Sequence, residues 1–461
     1  MTASSSFSVA GKRVVVVGAA RSGIAAAELL VRRGATVTLT DTREGIDDEK
    51  RLRDAGVRLE LGRHVSETLM SADLIVLSPG VPPRQTVIEQ ARKAGVPVIG
   101  ELELASRWVR GRIVAVTGTK GKSTTTTLTG RMLEAGGHRV AVGGNIGVAL
   151  SAQVDDSTDD TIHVVEASSF QLEGTDAFKP WIAVLLNFSP DHLDRHADAA
   201  EYAAAKSRIF ANQTVDDWAV LNADDAASRE IAREVRARRL LFAMEAELSD
   251  GVVIAGDSIV RRTHAGDQEL VPLSAVRLLG RHLLSDVLAA SAVASLVGVD
   301  PSAITRAVEG FSGLEHALEP VAEVGGVRFV NDSKATNIEA ARRAIQSFEP
   351  GLIVILGGRF KGGSFADLRE ALIARRATVV AIGEARLLIH SALDGQVPIR
   401  DANDMGKAVR IAFGLAAPGS TVVLAPACAS FDMFRDYAER GRVFKQEVAR
   451  LAQEWSGAQE H

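Results

Sequence analysis

The stretch Val114–Thr126, VAVTGTKGKSTTT, reads as an apolar strand, a glycine-lysine turn and the opening of a helix. Gly118 and Gly121 let backbone approach a phosphate, Lys122 supplies a cation, and Ser123 or Thr124 offers Mg²⁺ a hydroxyl at a helix N-terminus. In the common loop, G-x-x-x-x-G-K-[ST], a first glycine precedes the second by five residues. Here that place is Val116, and the nearest glycine is Gly118. A helix cap with incidental lysines is the plainer alternative, but capping alone does not account for Gly-Lys-Ser-Thr after a buried strand. The stretch predicts a nucleoside-triphosphate loop in a parallel α/β sheet.

Working outward, the alternation continues on both sides. RVVVVGAARSG, IAAAELLVRRG and TVTLTD make one βαβ unit near the N-terminus, followed by LIVLSPG, VIEQARKAG and VPVIG. After the quoted loop come IHVVEASS, WIAVLLNFSPDH, a helix over 199–210 and DWAVLNADD. The pattern resets near Gly310–Gly313 and resumes with VRFVNDSKATN, GLIVILGGRFKGG, TVVAIGEA and STVVLAPACASF. Three α/β domains in series are expected, at 1–109, 110–313 and 314–461: a Rossmann-like domain, a central P-loop-type domain and a second Rossmann-like domain. Residues from Leu241 to Pro272 break the alternation and predict a small antiparallel elaboration.

The bulk numbers agree with 461 residues in several domains. A hydrophobic fraction of 46% and a charged fraction of 24% are those of an ordinary globular chain. A net charge of −5 gives no reason to expect a nucleic-acid partner. One cysteine, Cys428, excludes an internal disulfide framework and suits a reducing cytoplasm. The N-terminal residues lack the basic and apolar regions of a signal peptide, and no apolar run approaches the roughly 18 residues of a membrane span.

Several residues carry chemistry on their own account. Glu166 ends the strand IHVVE at the carboxyl edge where parallel sheets present ligands, and suits an oxygen-seeking Mg²⁺ beside phosphates. His192 follows a strand and reads equally as a turn residue or a ligand; Lys206, taken alone, is a helix-surface lysine. Asp332, Ser333, Lys334 and Thr336 cluster after a strand, though a helix cap explains the first two as well. GAARSG is a dinucleotide fingerprint with Ala20 in place of its middle glycine, and Asp41 ends the next strand where a ribose contact is usual. Cys428 reads as a small buried hydrophobe.

The shortened loop TGTKGKST resembles that of the ATP-dependent Mur ligases and their folylpolyglutamate synthetase relatives, which join an amino acid to a carboxylate through an acyl phosphate. VVEASSFQLE, NFSPDHLDRH with AAAKSRIF, NDSKATN and LAPACASFD extend the likeness over nearly the whole chain, and NDSKATN is similar to the branch that adds D-glutamate. The resemblance implies a cytoplasmic, monomeric enzyme of peptidoglycan synthesis with ATP, UDP-N-acetylmuramoyl-L-alanine and D-glutamate as substrates and two Mg²⁺ ions. It assigns Gly118, Thr119, Lys120, Gly121, Lys122, Ser123, Thr124, Asp286, Asp332 and Lys334 to ATP. Lys122, Glu166, His192 and a carbamylated Lys206 become catalytic, the last three holding metal together with Ser123. Ala20, Arg21 and Ser22 fall to the diphosphate, Asp41, Thr42 and Arg43 to the uridine, with Gly80 and Asn145 as further contacts. Thr336, Lys361, Ser430, Phe431 and Tyr437 fall to D-glutamate. The chain departs from the family's pattern at Leu283 and Asp286, where asparagines are usual, at Ala317, where an arginine is, and at Arg359, where an acid is. Arg359 is expected to compensate electrostatically. A sister ligase of different amino-acid preference, a nicotinamide-dependent dehydrogenase and a nucleotide-binding regulator are the alternatives.

Overall fold

A computed structural model describes residues 7–46, 48–189, 198–276 and 281–459, and three sheets follow one another along them. The first contains β1 (Arg13–Val17), β2 (Thr36–Asp41), β3 (Arg58–Leu61), β4 (Leu74–Leu77) and β5 (Val98–Gly100), all parallel, in the order β3-β2-β1-β4-β5. The order reverses between β1 and β4, and at such a switch point the connections leave in opposite directions and open a crevice at the carboxyl ends. The helix Arg21–Arg32 packs Ala26, Ala27 and Leu30 against Val14 and Val16, while Leu69, Ile88 and Ala91 cover Val15 and Val17, so the valines of β1 are buried on both faces.

The second sheet has nine strands: β6 (Arg112–Thr117), β7 (Arg139–Gly144), β8 (Thr161–Glu166), β9 (Ile182–Leu185), β10 (Trp218–Asn222), β11 (Arg238–Ala243), β12 (Gly251–Ala255), β13 (Ser258–Thr263) and β14 (Gly266–Pro272). Their order is β14-β13-β12-β11-β10-β9-β6-β8-β7. The predicted antiparallel elaboration is present as β12 to β14, but β12 pairs parallel with β11. The elaboration therefore extends the main sheet and does not stand apart from it.

The third sheet holds β15 (Glu319–Val324), β16 (Val327–Asn331), β17 (Leu352–Gly357), β18 (Thr378–Ile382), β19 (Ile399–Asp401) and β20 (Thr421–Leu424), in the order β15-β16-β20-β17-β18-β19. β15 is antiparallel to β16 and absent from the sequence expectation. A bulge between Pro320 and Ala322 and two glutamates break its alternation, so it lacks the signature of a half-buried strand. This sheet belongs to a compact unit that begins at Ser312, whereas the first two sheets share one unit ending at Phe311.

Two carboxylates of the helix Glu101–Ser106 fasten the first sheet to the second. Glu103 is fully buried, and its Oε2 accepts the amides of Asp176, Ala177 and Phe178 at 2.8, 3.0 and 2.9 Å while Oε1 meets Arg107. Glu101 accepts the Ser151 amide at 2.8 Å, and its burial raises its pKa against that bond. Close backbone contact completes the seam: the Gly100 amide donates to the Gly174 carbonyl at 2.7 Å. No helix among the described residues is long and apolar enough to cross a membrane.

Candidate active site

β6 runs to Thr117, past the place where the longer loop would have its first glycine, so the turn to the helix Lys122–Ala135 is short. Asn187, just beyond β9, holds that turn: its carbonyl accepts the Thr119 amide at 3.1 Å, and its side chain accepts from the Lys120 amide at 2.9 Å and donates to the Lys120 carbonyl at 3.1 Å. Thr119 Oγ1 adds bonds to the carbonyl and amide of Ser189, both 3.1 Å. The helix has no acid in its first turn, leaving the positive end of its dipole facing the turn. Gly121 caps it with φ at 82°. A Cβ there would lie 2.0 Å from Asp286 Oδ1, so the space spared by this glycine is filled by a side chain of the protein.

Asp286 comes from the helix Arg281–Val297 and is buried, its Oδ2 without a partner among the described residues. Burial pushes its carboxyl well above the usual carboxylate range, against a smaller pull from the nearby Thr125 hydroxyl, whose geometry falls short of a hydrogen bond. The residue expected among the ATP contacts thus sits beside the turn at Gly121, its carboxyl shifted by burial toward the protonated form. Leu283, the other departure on this helix, is partly exposed.

Two lysines meet at the Gly118 carbonyl. Lys122 Nζ donates to it at 3.0 Å and to the Thr119 carbonyl at the same distance, while Lys206 Nζ donates to it at 2.8 Å. Lys206 is 1% exposed and lies 4.4 Å from the centre of the Tyr202 ring, whose hydroxyl reaches Thr119 Oγ1 at 3.4 Å. A solvated helix lysine is therefore excluded. Tyr202 was not picked out from the sequence; its place four residues before Lys206 in EYAAAKS is the signal that would have found it.

One strand away from β6, Glu166 ends β8 at 2% exposure. Its Oε1 accepts from Asn145 Nδ2 at 2.7 Å, and its Oε2 has no partner among the described residues. The Asn145 carbonyl in turn accepts from Arg21 Nη2 at 3.4 Å, linking the second sheet to the first helix. Asn145, Arg21 and Glu166, assigned to different ligands, so form one chain of bonds. His192 lies outside the described residues.

At the first sheet, Ala20, Arg21 and Ser22 begin the helix after β1, Thr42 and Arg43 follow β2, and Gly80 is exposed after β4. Asp41 is engaged by the protein itself. Its Oδ2 takes the Ala19 amide at 2.7 Å and Arg43 Nη2 at 3.0 Å, and its Oδ1 takes the Arg43 amide at 2.9 Å and Nε at 3.0 Å. Burial alone would raise its pKa, but these donors outweigh burial and hold the carboxyl well below the usual range.

In the second unit, Asp332, Lys334 and Thr336 follow β16, Lys361 follows β17, and Ser430 and Phe431 follow β20, neighbouring strands whose carboxyl ends point the same way. Asp332 is pushed up to about 7 by burial, opposed by the Leu318 amide and Lys334. Lys361 Nζ stands 5.9 Å from the ring centre of the exposed Phe431, and Tyr437 is also exposed. Arg440, missed in the sequence, is buried beneath both segments and donates to Ser333 Oγ, the Ser333 carbonyl and the Cys428 carbonyl at 2.9, 2.8 and 3.0 Å. Burial pushes the Cys428 thiol up to about 12, which leaves it inert. Arg359 does not act as a free cation: it forms a two-pronged pair with Glu384 at 2.9 and 3.1 Å. Ala317 lies in a turn whose neighbours His316 and Leu318 have positive φ, with His316 buried against Asn331.

Family models match each sheet in turn: a Mur ligase MurD-like N-terminal domain over residues 12–100, a Mur ligase middle domain over 116–294 and a Mur ligase glutamate ligase domain over 318–428. Among curated relatives, UDP-N-acetylmuramoylalanine--D-glutamate ligase of Acidobacterium capsulatum is 47% identical over 97% of this chain and 99% of its own. The protein of the same name from Koribacter versatilis is 45% identical with the same coverage. Solved structures share the fold at low identity: UDP-N-acetylmuramate-alanine ligase of Thermotoga maritima at 16% identity and TM-score 0.58, covering 95% of this chain and 99% of that one, and a pseudomurein peptide ligase of Methanothermus fervidus at 16% and 0.57, covering 96% and 100%. With a lysine-bearing turn after β6, a buried glutamate ending β8 and all three domain models in register with the three sheets, the chain belongs to the Mur ligase family.

Proposed function

We propose that this chain is an ATP-dependent ligase that joins D-glutamate to UDP-N-acetylmuramoyl-L-alanine, releasing ADP and phosphate, in peptidoglycan precursor synthesis. The observation that carries this reading is the convergence of Lys122 and Lys206 on the Gly118 carbonyl, one strand from the buried Glu166. Relatives that match the whole chain are named for that reaction.

The alanyl carboxylate attacks the γ-phosphorus of ATP, and ADP leaves. The N-terminal end of the helix that follows Gly121 and the ammonium of Lys122 meet the charge that develops on the phosphoryl oxygens. The amine of D-glutamate then attacks the acyl phosphate carbon, loses a proton, and phosphate departs as the amide forms. Glu166 and Ser123 suit a Mg²⁺, since a buried carboxylate oxygen without a partner fits a hard cation whose other ligands are phosphates and water. Such an ion neutralises phosphate charge. A second ion, with His192 and a carbamylated Lys206, belongs to the same proposal. Ala20 to Ser22, Thr42 and Arg43 are assigned to the sugar nucleotide, and Thr336, Lys361, Ser430, Phe431 and Tyr437 to D-glutamate. A monomer in the cytoplasm is the form proposed.

The test is phosphate release from ATP with Mg²⁺ and UDP-N-acetylmuramoyl-L-alanine across a panel of amino acids. Release should require D-glutamate and fall by about 10²–10³-fold in Lys122→Ala, the scale of one lost charge-stabilising group. Release with another amino acid instead moves the chain to a sister specificity, and none with any amino acid sinks the ligase reading.

A further inference from the structure

Behind the Glu166 corner runs a buried polar chain that the chemistry above leaves unused. Its centre is His163, on β8, fully buried and three residues before Glu166. Its Nδ1 lies 3.0 Å from Gln153 Oε1, and its Nε2 lies 2.8 Å from Ser157 Oγ. Gln153 ends the short helix Leu150–Gln153 and is also buried; its Nε2 donates to the Val142 and Val148 carbonyls at 3.4 and 3.3 Å. Carbonyls only accept, so these two contacts turn the amide nitrogen toward them and the amide oxygen toward the ring. That oxygen also only accepts, which puts the ring proton on Nδ1 and leaves Nε2 to take the Ser157 hydroxyl hydrogen. Ser157 Oγ in turn accepts the amides of Arg110 and Gly111 at 2.9 and 3.4 Å. Burial pushes the ring down to about 4, so it stays neutral at neutral pH and the pattern holds.

Val142 and Val148 bracket the loop that carries Asn145. Gly144 and Gly147 have φ of 98° and 55°, and the Gly144 amide donates to the Val148 carbonyl at 2.8 Å. A Cβ on Gly143 would lie 2.1 Å from that carbonyl oxygen and 2.2 Å from Gln153 Nε2, so the side-chain amide packs directly on the end of β7. The Val148 side chain is exposed, so it is the carbonyl of this residue that anchors the loop. On the other side of the loop, Asn145 donates its amide to the Glu166 carbonyl at 2.9 Å and its Nδ2 to Glu166 Oε1 at 2.7 Å.

We propose that Gln153, oriented by His163, is a positioning residue that holds the Gly143–Val148 loop so that Asn145 meets Glu166. The geometry stands by itself; the effect on rate rests on the ligase reading above. Asn145 on Oε1 fixes the turn of the carboxylate, whose Oε2 has no partner among the described residues. A loop released from Gln153 would let both groups rotate, although neither Gln153 nor His163 touches a substrate.

The experiment compares the full chain as wild type, Gln153→Met, Asn145→Ala and the double variant. Methionine keeps the length of the side chain and removes its donors. Hydrogen exchange by mass spectrometry should quicken about tenfold over residues 142–149 in Gln153→Met, the scale of lost hydrogen bonds. The KM for UDP-N-acetylmuramoyl-L-alanine should rise by about tenfold while that for D-glutamate, assigned to the second unit, stays unchanged. Because Gln153 acts through Asn145, the double variant should have the same kcat/KM as Asn145→Ala alone. Additive losses, a rise in both Michaelis constants, or unchanged exchange in Gln153→Met overturns the proposal. His163→Asn, whose amide nitrogen replaces Nδ1 as donor to Gln153, should exchange more slowly over the same residues than the equally sized His163→Leu. Equal exchange in these two overturns the part given to His163, and the pair decides the matter if Gln153→Met does not fold. Wild type that releases no phosphate with any amino acid sinks the ligase reading, and the exchange results then decide the loop's support alone.

Discussion

The turns after β1 and β6 are built alike: a strand, a glycine turn and a helix with no acid in its first turn. Each has one buried carboxyl group packed against it, yet the pKa of Asp41 is held down and that of Asp286 is pushed up. The difference lies in donors. Asp41 accepts from the Ala19 amide and from the amide and guanidinium of Arg43, whereas Asp286 has an oxygen with no partner among the described residues. The same residue type therefore does two jobs. One ties the turns after β1 and β2 together by charge; the other fills the hollow at Gly121 by shape.

The largest expected effect comes from filling that hollow. Gly121→Ala adds left-handed strain of about 1–2 kcal/mol and overpacking of about 1–3 kcal/mol, and should weaken ATP binding along with stability. In a double-mutant cycle, adding Asp286→Ala should return the overpacking part and leave the strain; denaturant unfolding that shows no recovery would locate the clash elsewhere.

Asp41→Asn comes next. It removes the charge that four donors address, and should cost about 1–3 kcal/mol at neutral pH while weakening the sugar nucleotide more than ATP. The pH dependence has a definite sign. A carboxyl depressed in the folded chain stabilises above its unfolded pKa, so the difference between wild type and Asp41→Asn should be constant above about pH 5 and shrink as pH falls below about 4. A gap that grows on acidification would mean Asp41 is not held as an anion.

Asp286→Asn should be nearly silent, within about 1 kcal/mol at neutral pH, because an amide reproduces the shape of a neutral acid. Here the sign is opposite. A carboxyl raised in the folded chain gives its full relative stability below the unfolded pKa and loses it as pH climbs toward the folded value, so the variant should gain on wild type as pH rises from 4. Loss of stability comparable to that of Asp41→Asn would erase the contrast between the two corners.

What could be read in the sequence was what is contiguous. Gly118 to Thr124 announces a phosphate turn because strand, glycines, lysine and helix start are consecutive. The strands that carry Asp41, Glu166 and Asp332 were evident from their β-branched runs. The fate of each carboxyl was not, because its donors or neighbours lie far along the chain: Ala19 is 22 residues from Asp41, and the amides on Glu103 are 73 to 75 residues away. Lys206 was visible as functional only through family likeness, since no local pattern announces that a helix lysine folds under a turn 88 residues earlier. β15 escaped because a bulge spoils its period.

The three amides gathered by Glu103 have a kinetic meaning. With the first two sheets fastened into a single frame, the proposed sites place a carboxylate, anchored by its nucleotide at one switch point, and a phosphoryl donor on the turn after β6 where they would not search for each other through solvent. Their mutual concentration is a property of the scaffold, of the kind that reaches about 10⁵–10⁸ M when reacting groups are well aligned. Lowering the amount of either substrate then empties the site more often, but leaves the rate of phosphoryl transfer within a filled site unchanged.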